Sequence, residues 1–241
     1  MKISVCMAAY NGAEYIGTQI ASILPQFALG DELIIVDDAS SDDTVQIIEG
    51  FADARIKLYR NMENLGPTKT FDKALGLAEG DLVFLSDQDD VWYDHKVATI
   101  RHQFETSNLD LIVHDARVTI GGKVVSDSLF QMCKSSPGLL RNLISSTHTG
   151  CCMVLRRSAL DQLLPIPCKK GIFHDSWIGV FSSCLKQRKL FLNVPLIDYQ
   201  RHGNNVSTMR RRSLMKILPE RFNLIAALAL RMASRLVGGG K

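Results

Sequence analysis

The sequence predicts an α/β fold built on a parallel sheet. Short apolar runs that read as buried strands alternate with helical stretches through the first half of the chain, the pattern of strand, crossover helix and parallel strand. Each of those runs ends in a polar cluster, which is the edge where parallel sheets bind ligands. A chain of 241 residues, 46% hydrophobic and 22% charged, buries one substantial core, so a single domain is expected.

Taken in order, strands are read at about 3–9, 32–37, 55–60 and 81–86, and helices at about 13–25, 42–51 and 67–79. The first strand runs into Tyr10-Asn11-Gly12, which is turn chemistry. The second ends in Asp37-Asp38, and Ser41 or Asp42 can cap the helix that follows. Pro67 falls in the first turn of the third helix, and Gly80 lies just past its end. Leu82 to Leu85 form the fourth strand. After residue 108 the pattern changes, with Leu109 to Thr119 and Lys123 to Ser126 read as a hairpin around Gly121-Gly122. Further strands are expected at 151–156, 190–193 and 196–201, and helices near 138–145, 158–164 and 175–187.

Composition removes several function classes. A formal net charge of +3 is too small to imply nucleic-acid binding. The six cysteines lack regular spacing and read as buried thiols, which suits a reducing cytosol. The apolar stretch that opens the chain is short for a signal sequence, and no run of about 18 apolar residues suggests a membrane span. A nicotinamide dehydrogenase would want G-x-G-x-x-G after the first strand, where Ala9-Tyr-Asn-Gly-Ala-Glu14 stands instead.

The most informative cluster is Ser86-Asp87-Gln88-Asp89-Asp90. Asp87 and Asp89 leave the end of the fourth strand with side chains on the same side of an extended chain, so two carboxylates aim at one point. Such a pair makes sense when a divalent cation sits between it and a diphosphate. The plain alternative is an acidic turn that caps the next helix. At the second strand end, Asp38 can accept from a uracil or thymine N–H. Asn64, Gly66 and Lys69, opening the third helix, offer backbone amides and a cation to a nucleotide.

The ordered set Met7-Ala-Ala-Tyr-Asn-Gly12, Val36-Asp-Asp-Ala-Ser40, Asn64-Leu-Gly66, Ser86-Asp-Gln-Asp-Asp-Val-Trp92, His174-Asp-Ser-Trp177 and Tyr199-Gln-Arg-His-Gly-Asn-Asn-Val-Ser207 resembles family-2 glycosyltransferases, most closely the rhamnosyltransferase-like members. The resemblance covers roughly residues 3–207. It implies a GT-A fold, a dTDP- or UDP-sugar donor, Mn²⁺ or Mg²⁺, and inverting transfer of a sugar, with rhamnose suggested, to a glycan or polyprenyl-diphosphate-linked acceptor in bacterial surface polysaccharide synthesis. By matching position it implies that Ala9, Tyr10 and Glu14 line the nucleotide, that Asp38 binds the base, that Asp87 and Asp89 hold metal and diphosphate, and that Asp175 is the catalytic base. His174 stands where an acidic residue is common. His202 reads as a further metal or diphosphate contact, or as a surface histidine. Trp92 and Trp177 could stack on sugar rings or pack in the core, and residues 147–152 are expected to line the acceptor side.

The expected organisation is one domain over residues 1–208, with a nucleotide-sugar-binding half at 1–108 and an acceptor-binding half at 109–208, followed by a basic amphipathic tail at 209–241. Processive polysaccharide synthases carry a Gln-x-x-Arg-Trp motif and membrane spans, and neither is visible, so one sugar per acceptor is expected. A metal-dependent sugar-nucleotide hydrolase on the same fold is the nearest rival. The tail combines apolar stretches with Arg210, Arg211, Arg212, Lys216, Arg221, Arg231 and Arg235. It is read as lying in the interface of the inner membrane on the cytoplasmic side, with its cations facing headgroups, or else as a helix packed on the protein itself.

Overall fold

The computed structural model describes residues 1–144, 146–203 and 214–238. Asn204 to Ser207 of the last motif, Thr208 and the arginines at 210–212 lie outside the described residues. Strand β1 (Ile3–Ala9) is parallel to β2 (Glu32–Asp37) on one side and β4 (Leu82–Ser86) on the other, and β3 (Ile56–Arg60) extends the sheet beyond β2. Every residue of β2 and β4 is buried, as expected of parallel strands covered on both faces. Helices α1 (Ile16–Ile23), α2 (Thr44–Glu49) and α3 (Pro67–Leu77) make the crossovers. Gly80 closes the last crossover against β1, where an added Cβ would lie 2.5 Å from the Ser4 nitrogen.

The sheet continues into the second half of the chain. Its strand order is β3-β2-β1-β4-β8-β6-β9-β5, where β5 is Val91–Trp92, β6 Leu111–Ile120, β8 Met153–Arg156 and β9 Lys189–Arg201. β8 runs antiparallel between β4 and β6, β9 lies parallel to β6, and β5 pairs antiparallel with β9. The expected hairpin forms between β6 and β7 (Lys123–Ser126), with Gly121 at φ 54° and Gly122 at φ 76° in its turn. Remaining helices are α4 (Lys96–Thr106), α5 (Leu129–Cys133), α6 (Leu139–Ile144), α7 (Arg157–Leu160), α8 (His174–Cys184) and α9 (Leu214–Gly238).

Some elements depart from the sequence expectation. The separate strands read at 190–193 and 196–201 are one strand, with a bulge that skips from Leu192 to Pro195 opposite His114 and Asp115. Proline has no N–H to give the ladder, and the bulge is where a strand tolerates it. The helix expected at 158–164 is the single turn of α7. α4 was not expected, because its N-cap residue His95 makes no side-chain capping bond and the flanks carry no capping signature.

From Leu214 to Gly238 the tail is the helix α9, packed on the protein. Leu224, Ala227 and Leu228 of α9 are buried, Arg231 donates to the Leu164 and Pro165 carbonyls, and Arg235 donates to the Gln162 carbonyl. Arg231 and Arg235 therefore face the body, which corrects the expectation that they face headgroups. The opposite stripe, Leu218, Phe222, Ile225 and Leu236, is 51–81% exposed. Among the described residues no helix is long and apolar enough to cross a membrane.

Candidate active site

The loop after β4 is held by side-chain amides from other elements. Gln19, fully buried on α1, donates to Ser86 Oγ at 2.7 Å and to the Asp87 carbonyl at 3.1 Å. Gln88 reaches back to the end of β1, accepting from the Tyr10 N–H at 2.9 Å and donating to its carbonyl at 3.0 Å. Gly12 makes room for that bridge, since an added Cβ would sit 2.2 Å from Gln88 Oε1. On the far side Asp90 Oδ1 accepts from the Gln200 N–H at 3.3 Å, and β5 pairs Val91 with Asp198. Asp198 is itself held by both Arg117, at 2.6 and 2.7 Å, and the Tyr93 hydroxyl at 2.7 Å.

This pairing delivers the end of β9 to the acidic loop. His202 Nε2 lies 2.7 Å from Asp89 Oδ2, and its ring stacks on Tyr15 at 4.4 Å and 12°. The nitrogen expected to bind metal is thus engaged with a carboxylate that shares that task. Asp87 is pushed up to about 7 by burial, then by the charges of Asp89 and Asp175. Asp90, 1% exposed, is raised well above the usual carboxylate range by burial and then by Asp87 and Asp89. Carboxylates crowding one space, with hard oxygen donors at its rim, suit a divalent cation of the Mg²⁺ or Mn²⁺ type.

Beneath the loop lies Lys96, fully buried, with Nζ 3.8 Å from the Trp92 ring centroid and 3.3 Å from the Cys151 carbonyl. Burial pushes it down to about 8, opposed by the charges of Cys152, Cys151, Asp90 and Asp87. One carboxylate oxygen each of Asp87 and Asp90 and the Cys151 sulfur lie within 4.8 Å of one another.

Asp175 approaches from the second half. The N-cap of α8 is Phe173, so Asp175 sits inside the first turn and is not the cap, and its Oδ1 accepts from the Ser176 N–H at 2.5 Å. His174 beside it is stacked on Phe71 of α3 at 4.0 Å, and Gly150 gives it space, because an added Cβ there would lie 2.6 Å from Nε2. Burial lowers the His174 pKa and the Asp175 charge opposes it. A neutral ring clamped between an aromatic face and a glycine explains how histidine fills a position where an acid is common.

The residues expected on the nucleotide side lie at and after the ends of β1 and β2 and at the start of α3. Ala9 is 1% exposed, Tyr10 is 47% exposed, and Glu14 and Lys69 are exposed. Asp38 is buried, and its oxygens accept from Asn61 Nδ2 at 2.8 Å, Leu65 N at 2.9 Å and Gly66 N at 2.8 Å. Three of a carboxylate's roughly four acceptor positions are therefore taken by its own loop, and Asp38 is first an anchor for residues 61–66. Asn64 Oδ1 also accepts from Gly66 N, at 3.1 Å, and Gly66 adopts φ 81° ahead of Pro67. Trp92 and Trp177 are 3% and 0% exposed, so both are core residues and neither stacks on a sugar. Cys151 and Cys152 are fully buried beneath the carboxylates and do not face an acceptor. Sequence reasoning missed Gln19, Gln88, Tyr15 and Lys96. Only Gln88, inside the acidic motif, carried a local signal.

Comparison with known proteins agrees with this architecture. The family model described as glycosyl transferase family 2 matches residues 4–164. A curated Escherichia coli relative, UDP-Glc:alpha-D-GlcNAc-diphosphoundecaprenol beta-1,3-glucosyltransferase WfaP, is 24% identical over 98% of this chain and 90% of its own length. The structure of Staphylococcus aureus TarS 1–349 in complex with UDP-GlcNAc superposes with a TM-score of 0.75 at 22% identity, over 96% of this chain. This chain spans about two thirds of that TarS fragment, 66%. Glucosyl-3-phosphoglycerate synthase from Mycobacterium tuberculosis, in complex with Mg²⁺ and UDP, superposes at 0.59 with 19% identity, over 95% of this chain and 79% of its own. With the family model covering most of its length and a GT-A sheet bearing the acidic loop, the chain belongs to glycosyl transferase family 2.

Proposed function

We propose that this protein transfers one hexose from a UDP-sugar to a lipid-linked glycan acceptor, with inversion and with a divalent cation at Asp87 and Asp89. The observation that carries the reading is the Asp87–Asp90 loop at the carboxyl end of β4, beside β1 in the parallel sheet, where His202 Nε2 meets Asp89 at 2.7 Å. A pair of acids on one element and a lone acid arriving from another divide the work of an inverting displacement. Asp87 and Asp89, with His202 against Asp89, would hold Mn²⁺ or Mg²⁺, which supplies charge neutralisation for a departing diphosphate. Asp175 takes the proton of the acceptor hydroxyl as it attacks from the opposite face of the sugar. Ala9, Tyr10, Glu14, Asn64, Gly66 and Lys69 line the donor, and Asp38 shapes the wall against which the base rests.

Support for the donor and cation comes from the neighbours crystallised with UDP-GlcNAc and with Mg²⁺ and UDP, and support for the acceptor comes from the WfaP name. The exposed stripe of α9 suits contact with the cytoplasmic face of the membrane that carries such acceptors. The motif resemblance suggests rhamnose, whereas the WfaP name supplies glucose. A panel of dTDP- and UDP-sugars with Mn²⁺ or Mg²⁺, scored for product with and without a diphosphate-lipid acceptor, tests all of this. Sugar release to water at an equal rate in both conditions would make the protein a hydrolase and end the transferase reading.

A further inference from the structure

We propose that His148 and Gly150 are positioning residues: two reciprocal histidine–glycine contacts lock the turn Gly150–Cys152 to α8 and so set where Asp175 stands relative to the acidic loop. This rests on the role proposed above for Asp175, and names what holds that carboxylate in place. Gly179 lies one turn after Asp175 on α8, so the two share a face of the helix. His148 rests against Gly179, where an added Cβ would lie 2.3 Å from its Nδ1, 2.4 Å from Cγ and 2.5 Å from Cε1. Glycine is a poor helix former, and its missing side chain is what admits the ring. The contact runs the other way at Gly150, where an added Cβ would lie 2.6 Å from His174 Nε2 and 3.7 Å from Asp175 Cβ.

Each partner is also held by other elements. His148 is 5% exposed and neither ring nitrogen has a hydrogen-bond partner, so packing fixes it, with the Phe191 ring of β9 at 5.9 Å and 55°. Gly179 accepts at its carbonyl from Lys189 Nζ at 2.5 Å, and His174 stacks on Phe71 at 4.0 Å. The residue after Gly150 reaches the other acids, since the Cys151 sulfur and one oxygen each of Asp87 and Asp90 lie within 4.8 Å of one another. Two consecutive residues thus border both groups of carboxylates. A shift of α8 against this turn would move Asp175 and leave the acidic loop where it is. Displacing a reacting group by about 1 Å can cost on the order of 10²-fold in rate.

Two size-compensation cycles in the full chain test this, Gly179→Ala with His148→Ala and Gly150→Ala with His174→Ala. Each glycine variant should lower the Tm, and each double variant should lose well under the sum of its two single losses, because the clash is gone. Both glycine variants should lower kcat at least about tenfold while the donor KM and UDP affinity in Mn²⁺ stay within about two-fold. Each double variant should regain turnover over its glycine variant. His148→Phe, which keeps a ring against Gly179, should recover most of the kcat that His148→Ala loses. If one glycine variant does not fold, its double variant should, and the other cycle supplies the kinetics. Additive Tm losses in both cycles would overturn the interlock. Parental kcat in the folded glycine variants, or kcat falling together with donor affinity, would overturn the positioning role. Absence of transfer by the parent would instead refute the transferase reading, and the melting cycles, which need no donor, then decide the interlock by themselves.

Discussion

Asp175→Asn separates the proton-accepting role of this carboxylate from its electrostatic role. The side chain keeps its shape, and the amide oxygen can still accept from the Ser176 N–H. What it loses is basicity and charge. Loss of a positioned base costs turnover about 10²- to 10⁴-fold, or roughly 3–5 kcal/mol of barrier, while UDP-sugar affinity should stay within a few-fold. The structure adds a second signature. Asp87 is pushed up to about 7 by burial first, by the Asp89 charge second and by the Asp175 charge third. Asp175 is one of the charges that raise Asp87, so Asp175→Asn should lower the Asp87 midpoint. Single-turnover kinetics measure the first effect, and carboxyl-carbon NMR titration of the metal-free protein measures the second. Near-parental turnover removes Asp175 as the base; an unmoved Asp87 midpoint shows that the two carboxylates do not share one field.

Other outcomes follow from the same geometry. Asp89→Ala should weaken UDP binding measured in Mn²⁺ and leave metal-free binding unchanged, because the lost contribution is the cation bridge; equal affinity to the parent in both conditions would refute the metal role. His148, 5% exposed with neither ring nitrogen hydrogen-bonded, is pushed down to about 3 by burial and then by Lys189. A depressed folded pKa contributes stability that is present above the unfolded value near 6.5 and is lost as pH falls toward 3, so the denaturation midpoint should fall through that window. His148→Phe should flatten the fall, and an unchanged slope would remove His148 as its source. Phe222→Ser with Ile225→Ser on the outer stripe of α9 should cut flotation with anionic liposomes at least about tenfold while leaving the melting temperature near parental, and equal flotation would exclude that stripe as the membrane contact.

How much of this was legible in the sequence depends on the range of the interaction. The first four strands and their acidic ends were readable because buried parallel strands are continuous aliphatic runs and their polar termini follow directly in the chain. Asp87 and Asp89 announced themselves by local spacing. His202 was read as a metal or diphosphate contact from its motif, but its direct contact with Asp89 depends on pairing residue 91 with residue 198, and no local pattern encodes a ladder between distant segments. Lys96 looked like any solvated lysine at a helix start, and its buried ammonium lies between the Trp92 ring and the carbonyl of Cys151, 55 residues further along the chain. Asp38 and the tryptophans were assigned by residue type and motif position, whereas neighbours brought in by folding decide what they touch. The tail's amphipathic pattern was visible, but a helix with two apolar stripes does not say which one the body takes.

The sheet order has a consequence for anyone who would re-engineer this enzyme. Strand β4, from the first half of the chain, lies against β8, from the second, while β5, again from the first half, lies at the far edge beyond β9. The two halves are interleaved like folded hands, and a chimera joined near residue 108 would have to re-form two foreign strand interfaces at once. Even the excursion that follows β7 is tied into the sheet, since Asp115 of β6 accepts from Ser128 Oγ and from the Phe130 N–H, so an exchange between relatives has to carry its β6 partner along.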